Sequence, residues 1–223
     1  MREQLCSTGC CEDNATPSHP VLREETSKSE GVGTAPGVRI VDGRQVPEVA
    51  TWEIDPSHAA FEFVARHLMA KVRGRFPGVT GVATIAEDPT QSTLEIEIDA
   101  NSIDTKDETR DAHMRSDDFF GVEEHPTITF RSTGVRPGAG ENEWKVDGDL
   151  TIRGNARPVT VDVEFLGAAV DPWGNKRIGF SGVVPEVDRE QWGLVWNSPL
   201  EAGGFLLGRT VRLEIEAELV KKS

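Results

Sequence analysis

The residues with the densest chemistry lie together in Arg110-Asp111-Ala112-His113-Met114. Just before them, Thr105-Lys106-Asp107-Glu108 has the capping-box pattern, a Thr with a Glu three residues later. It predicts a short helix from about Lys106 to Arg115, on which Arg110, His113 and Met114 share one face at i, i+3 and i+4. A guanidinium offers paired donors to phosphate oxygens and an imidazolium would add a third, so Arg110 and His113 together suit a phosphorylated head group. Arg110 is equally suited to pairing with Asp107 or Asp111 and fastening the helix to whatever lies beneath it. His67 suits either a hydrogen bond to an uncharged head group or the role of a satisfied core histidine. His58 follows Asp55-Pro56-Ser57, where a structural turn bond fits as well as function.

A metal site would have to draw on Asp107, Asp111, His113 and His67. Asp111 and His113 are two apart on a helix and do not face together. No His-x-x-x-His pair occurs, so no metal site is expected. Nucleophile-elbow, P-loop and dinucleotide fingerprints are absent, so no catalytic residue and no cofactor is assigned.

These residues need a frame, and the periodicity makes that frame all-β. Leu94-Glu95-Ile96-Glu97-Ile98-Asp99, Val159–Phe165 and Val211–Leu219 alternate apolar and charged residues, which gives strands with one dry and one wet face. Strands are expected at Thr51–Asp55, Ala59–Arg66, Val72–Ile85 with breaks at Pro77-Gly78 and Gly81, Thr93–Asp99, Thr127–Arg136, Glu143–Ile152, Pro158–Val170, Lys176–Val187 and Arg209–Val220. Turn signals such as Asp88-Pro89 and Trp173-Gly174-Asn175 separate them. Short loops between so many strands imply an antiparallel barrel or sandwich. The exception is 101–126, a long crossover whose helix would make a lid near 105–120.

Parity collects Ala59, Phe61, Phe63, Ala65 and His67 on one face of their strand. Ile96, Phe130, Val161 and Phe180 fall on the dry faces of theirs, with Gly148, Gly182 and Ala217 among the small residues there. A barrel of about eight strands either packs its lumen or holds one small ligand, and the pattern leaves both open. Phe76, Phe119 and Phe120 could line a tunnel or pack the lid onto the barrel.

The formal net charge is −14, with no basic face for nucleic acid. Residues 1–46 are rich in Ser, Thr, Glu, Gly and Pro and are expected to form a disordered tail whose removal leaves the melting temperature unchanged. Cys6, Cys10 and Cys11 all lie in that tail, so no disulfide framework is expected. No stretch reaches transmembrane length, and no signal-type apolar run precedes Cys10, so a cytoplasmic protein is expected.

The chain resembles the YceI-like proteins, a family of lipocalin-like barrels associated with binding polyisoprenoid lipids. The resemblance rests on Trp52-Glu53-Ile54-Asp55-Pro56-Ser57-His58, Phe61–His67, Gly74-Arg75-Phe76, Ser102-Ile103-Asp104-Thr105, Arg110–Met114, Asp118-Phe119-Phe120, His125–Ser132 and Gly148–Gly154. It spans about 51–220 and departs at His125, where the family usually has Tyr. It implies a single lipocalin-like domain over 47–223. It also implies a binding or carrier role for a long apolar lipid, of the quinone or prenyl phosphate type. The alternatives are a hydrolase or isomerase acting on a lipid in the barrel, and a ligand-free interaction module. A homodimer through an outward patch is left open.

Overall fold

The structure is a computed structural model that describes residues 36–201 and 203–222. Residues 1–35, which hold most of the expected tail and all three cysteines, lie outside the described residues. The strands are β1 (Val38–Val41), β2 (Arg44–Pro47), β3 (Ala50–His67), β4 (Ala70–Arg75), β5 (Val79–Ile85) and β6 (Thr93–Asp99). They continue with β7 (Thr127–Pro137), β8 (Glu143–Ile152), β9 (Asn155–Val170), β10 (Lys176–Asp188) and β11 (Leu207–Lys221), and α1 (Glu108–Arg115) lies between β6 and β7.

Strands β3 and β5 to β11 form an antiparallel barrel of eight, closed by β11 on β3 with Leu213 opposite Phe63 and Ile215 opposite Phe61. Closure joins the two sides of the sheet and turns the dry faces inward. The extra strand, β4, pairs only with the second half of β3. Register fixes the two ends of the barrel. The ends of β3, β6, β8 and β10 share one end with the starts of β5, β7, β9 and β11, and the crossover with α1 spans it.

Three expectations are corrected. The first is the boundary of order at residue 46. β1 and β2 form a hairpin whose Asp42 and Gly43 have φ of 50° and 77°. Asp-Gly is the residue pair that a two-residue turn of this hand requires. Val46 is buried at 1% exposure, Arg39 donates to the carbonyls of Ala86 (2.5 Å) and Glu87 (2.7 Å), and Arg44 donates to that of Gly138 (3.1 Å). The hairpin thus caps the barrel end opposite the crossover.

The second concerns the helix start. Lys106 has φ of 63° and cannot begin a helix, so α1 starts at Glu108 with Asp107 as its cap, accepting from the Arg110 N–H at 2.9 Å. Thr105 is buried and donates its hydroxyl to Asp111 at 2.5 Å instead of capping.

The third concerns strand regularity. The two strands expected over Thr51–Arg66 are one, with a wide bulge between Ile54 (opposite Leu219) and Ala59 (opposite Ala217). Pro56 cannot donate to a ladder, and the bulge takes it out of pairing. A further bulge separates Val184 from Val187 and turns both valines inward against strict alternation.

Candidate functional site

The inward faces do not fill the barrel. They leave an apolar cavity of about 320 Å³. An apolar cavity of about 150 Å³ holds benzene, so this space takes a guest considerably larger. Phe61, Phe63, Ile96, Phe130, Val161 and Phe180 all line it. Neighbouring strands place them in registered pairs, Ile96 opposite Phe130 and Val161 opposite Val146.

Of the small dry-face residues, Ala65, Gly182 and Ala217 border the space. Gly148 does not, because a side chain there would run into the Phe130 ring, which already covers it. Small-for-large matching and open volume therefore coexist in this barrel.

The crossover closes the near end with aromatic rings. Phe76 meets Phe120 edge-on at 5.5 Å between centroids, and Phe63 lies 6.1 Å from Phe76. Phe119 stacks obliquely on Trp196 at 5.4 Å. Backbone bonds hold the segment down: Arg153 donates to the Asp117 and Phe119 carbonyls at 2.7 Å, and Arg115 to those of Asn101 and Ile103 at 2.9 Å. Phe76, Phe119 and Phe120 all border the cavity.

Arg110 and His113 separate. Arg110 borders the cavity together with Met114, and His113 does not. Arg110 finds no carboxylate partner among the described residues. Its Nε donates to the Thr105 hydroxyl and its Nη2 to the Thr105 carbonyl, both at 2.7 Å. His113 turns to the outside of the lid, with Nε2 2.9 Å from Asp118 and its ring edge-on to Trp196 at 4.6 Å. The two do not meet at the cavity, because Asp118 and Trp196 hold the His113 ring while Thr105 holds the Arg110 guanidinium. His67 ends β3 opposite Leu207, borders the cavity, and has no hydrogen-bond partner among the described residues. His58 lies outside, bonded to Asp55 at 2.9 Å.

Sequence reasoning missed the segment 189–196, which continues the near-end closure. Trp192 and Leu194 are buried beside the cavity, and the Trp192 indole donates to the Leu150 carbonyl at 2.9 Å. Arg189 is buried at 6% exposure and also borders the cavity. Its Nε donates to the Gly208 carbonyl at 3.0 Å and its Nη1 to that of Leu194. Burial presses its pKa below the usual guanidinium value, against the pull of nearby Glu190 and Asp188. The alternation Trp192, Leu194, Trp196 was the signal available for this segment.

A family model described as the YceI-like domain matches residues 52–219, from within β3 to within β11, and leaves the β1–β2 hairpin outside. A UPF0312 protein of Staphylococcus aureus (strain USA300) is 38% identical over 173 residues, covering 76% of this chain and 97% of the relative. A Campylobacter jejuni YCEI protein of known structure aligns with a TM-score of 0.60 at 27% identity, over 71% of this chain and 90% of that one. A polyisoprenoid binding domain from Saccharophagus degradans, implicated in plant cell wall breakdown, shares the fold with a TM-score of 0.60 at 16% identity, over 78% of this chain and all (100%) of that one. The eight-stranded barrel, its aromatic lid and a family match across most of the chain agree, and the chain belongs to the YceI-like family.

Proposed function

We propose that the protein binds a long apolar lipid, of the isoprenoid type, inside the barrel. The observation that carries this reading is the apolar cavity of about 320 Å³ lined by residues of the strands, the hairpin and the lid. Such a space, left empty, forfeits dispersion contacts that a hydrocarbon guest restores. The polyisoprenoid binding domain of Saccharophagus degradans, with the same fold, supports the class of guest. The wall residues Phe61, Phe63, Ile96, Phe130, Val161 and Phe180 would hold the chain, and Phe76, Phe119 and Phe120 would cover its near end. Binding is favoured over catalysis because the cavity wall is almost wholly hydrocarbon. Its histidine, His67, has no carboxylate or hydroxyl partner among the described residues to make it a base for a nucleophile.

Native mass spectrometry followed by solvent extraction tests the reading. One long-chain lipid per chain is the expected result. Ala65→Trp, which puts a large ring into the cavity from β3, is expected to abolish retention while the protein still melts cooperatively. A guest-free mass after exposure to a lipid extract would sink the proposal.

A further inference from the structure

The lid end carries an outer surface that the lumen does not explain. Strands β3 and β4 are joined by the turn Leu68-Met69, between the paired His67 and Ala70. Such turns take Gly, Asn or Asp where φ is positive. Here Leu68 has φ of 52°, a strained setting for a bulky apolar residue. Both turn residues are exposed, Met69 at 94%. The Leu68 N–H donates to the Leu206 carbonyl at 2.8 Å, which brings Phe205, itself 67% exposed, beside the turn. Folding gains nothing from apolar side chains left in water on a strained turn, whereas a surface that covers them does.

The charges beside the turn are unusual too. Arg66 and Lys71 are exposed and face each other across β3 and β4. Like charges directly opposite destabilise a strand pair unless something neutralises them. Neither has a carboxylate partner among the described residues, and the Arg66 Nε donates to the Leu68 carbonyl at 3.0 Å. The next cations along β4 are paired: Arg73 bonds Glu62 at 2.7 Å and also Glu214, and Arg75 bonds Asp104 at 2.8 Å. Glu201 is the one acid in 66–71 and 195–207. Apolar side chains flanked by uncompensated cations match an anionic membrane surface, with phosphate outside and hydrocarbon beneath. A second copy of this chain matches less well, since a two-fold contact through the tip brings two such cation pairs together.

We infer that the β3–β4 turn docks the lid end on an anionic bilayer, with Leu68, Met69 and Phe205 entering the head-group layer and Arg66 and Lys71 meeting lipid phosphates. The inference stands on the outer surface and holds whatever fills the lumen. His67 and Leu207, at the root of the same tip, border the cavity. Joined to the lipid-binding reading, docking here makes the membrane the place where a guest is exchanged.

The test uses the full chain and unilamellar vesicles, either phosphatidylcholine alone or an equal mixture with phosphatidylglycerol, read by flotation at physiological salt. The chain is expected to partition onto the mixed vesicles about tenfold or more above phosphatidylcholine alone, since each cation near an anionic surface contributes about fivefold. Met69→Asp and Phe205→Asp should each lower partitioning about tenfold or more. Both should leave the melting temperature unchanged, because the side chains they replace are exposed. Arg66→Gln combined with Lys71→Gln should remove the preference for anionic vesicles. Trp173→Asp alters an exposed ring (81%) at the opposite end, in the β9–β10 turn, and should change nothing. Absence of binding to the mixed vesicles would overturn the inference. So would binding lost in Trp173→Asp and kept in Met69→Asp. A dimer in analytical ultracentrifugation that Met69→Asp dissociates, with no vesicle binding, would assign the tip to a second copy instead. Docking by a chain whose solvent extract holds no lipid, even after exposure to a lipid extract, would support this inference and remove the lipid-binding reading.

Discussion

Arg177 shows how much one outward side chain can fasten. It lies on β10 and reaches Asp55 in the β3 bulge at 2.7 Å, Asp171 in the β9–β10 turn at 3.0 Å and Glu218 on β11 at 3.0 Å. Hydrogen bonds from Ser57, Arg177 and His58 hold the Asp55 carboxyl far below its usual range. Burial works against ionisation of Asp171. Bonds from Asn175, Arg177 and the Trp173 backbone overcome it and leave its carboxyl at about 2, against an ordinary 3.8. Carboxylates with lowered pKa contribute stability that is present above their unfolded value and lost as pH falls through the folded one. The urea midpoint is therefore expected to fall steeply between about pH 4 and pH 2. Arg177→Met should be less stable at pH 6 and show a shallower fall over that interval; an unchanged slope would count against the cluster. At this scale the inward-facing residues were legible, because alternation alone places Phe61, Ile96 and Val161. Arg189 was not, since a lone Arg between Asp188 and Glu190 reads as a solvated charge. Nor was the divergence of Arg110 and His113, which depends on a tryptophan more than 80 residues downstream.

At the scale of elements, β6 and β8 coincide with their expected bounds, because clean alternation runs between two turn signals in each. The hairpin was missed because its eight strand residues sit in a stretch whose overall composition is that of a tail. Only Asp42-Gly43 marks it. Bulges were illegible for a different reason: an inserted residue breaks a period without changing composition. Full burial of a residue such as Val46 is worth about 1.5–3 kcal/mol. A shift of 1 kcal/mol moves the melting temperature of a domain this size by about 2–4 °C. A chain beginning at Glu48 should therefore melt about 5 °C or more below one beginning at Pro36. Equal melting temperatures, by differential scanning calorimetry, would mean that the hairpin is not docked in solution. This reverses the sequence-based expectation that residues up to 46 contribute nothing.

For the whole molecule, the fold class and the crossover were legible in the pattern and the barrel, against a sandwich, only through the family resemblance; whether the lumen was packed or open was not legible. That choice depends on which small residues meet large ones across the barrel, as Gly148 meets Phe130 and Ala65 meets open space. A guest that binds only the folded state stabilises it by about 2.7 kcal/mol at a hundred times its dissociation constant. Protein carrying its lipid should consequently melt about 5–10 °C above the same protein after extraction. Identical curves would argue for a lumen that gains nothing from being filled. The hairpin has one more consequence. A tube covered at both ends would separate how tightly a guest is held from how soon it leaves. Departure would wait on one cover lifting, so the dwell time of a guest would follow the bonds of Arg39 and Arg44 or those of Arg115 and Arg153, none of which need touch the guest at all.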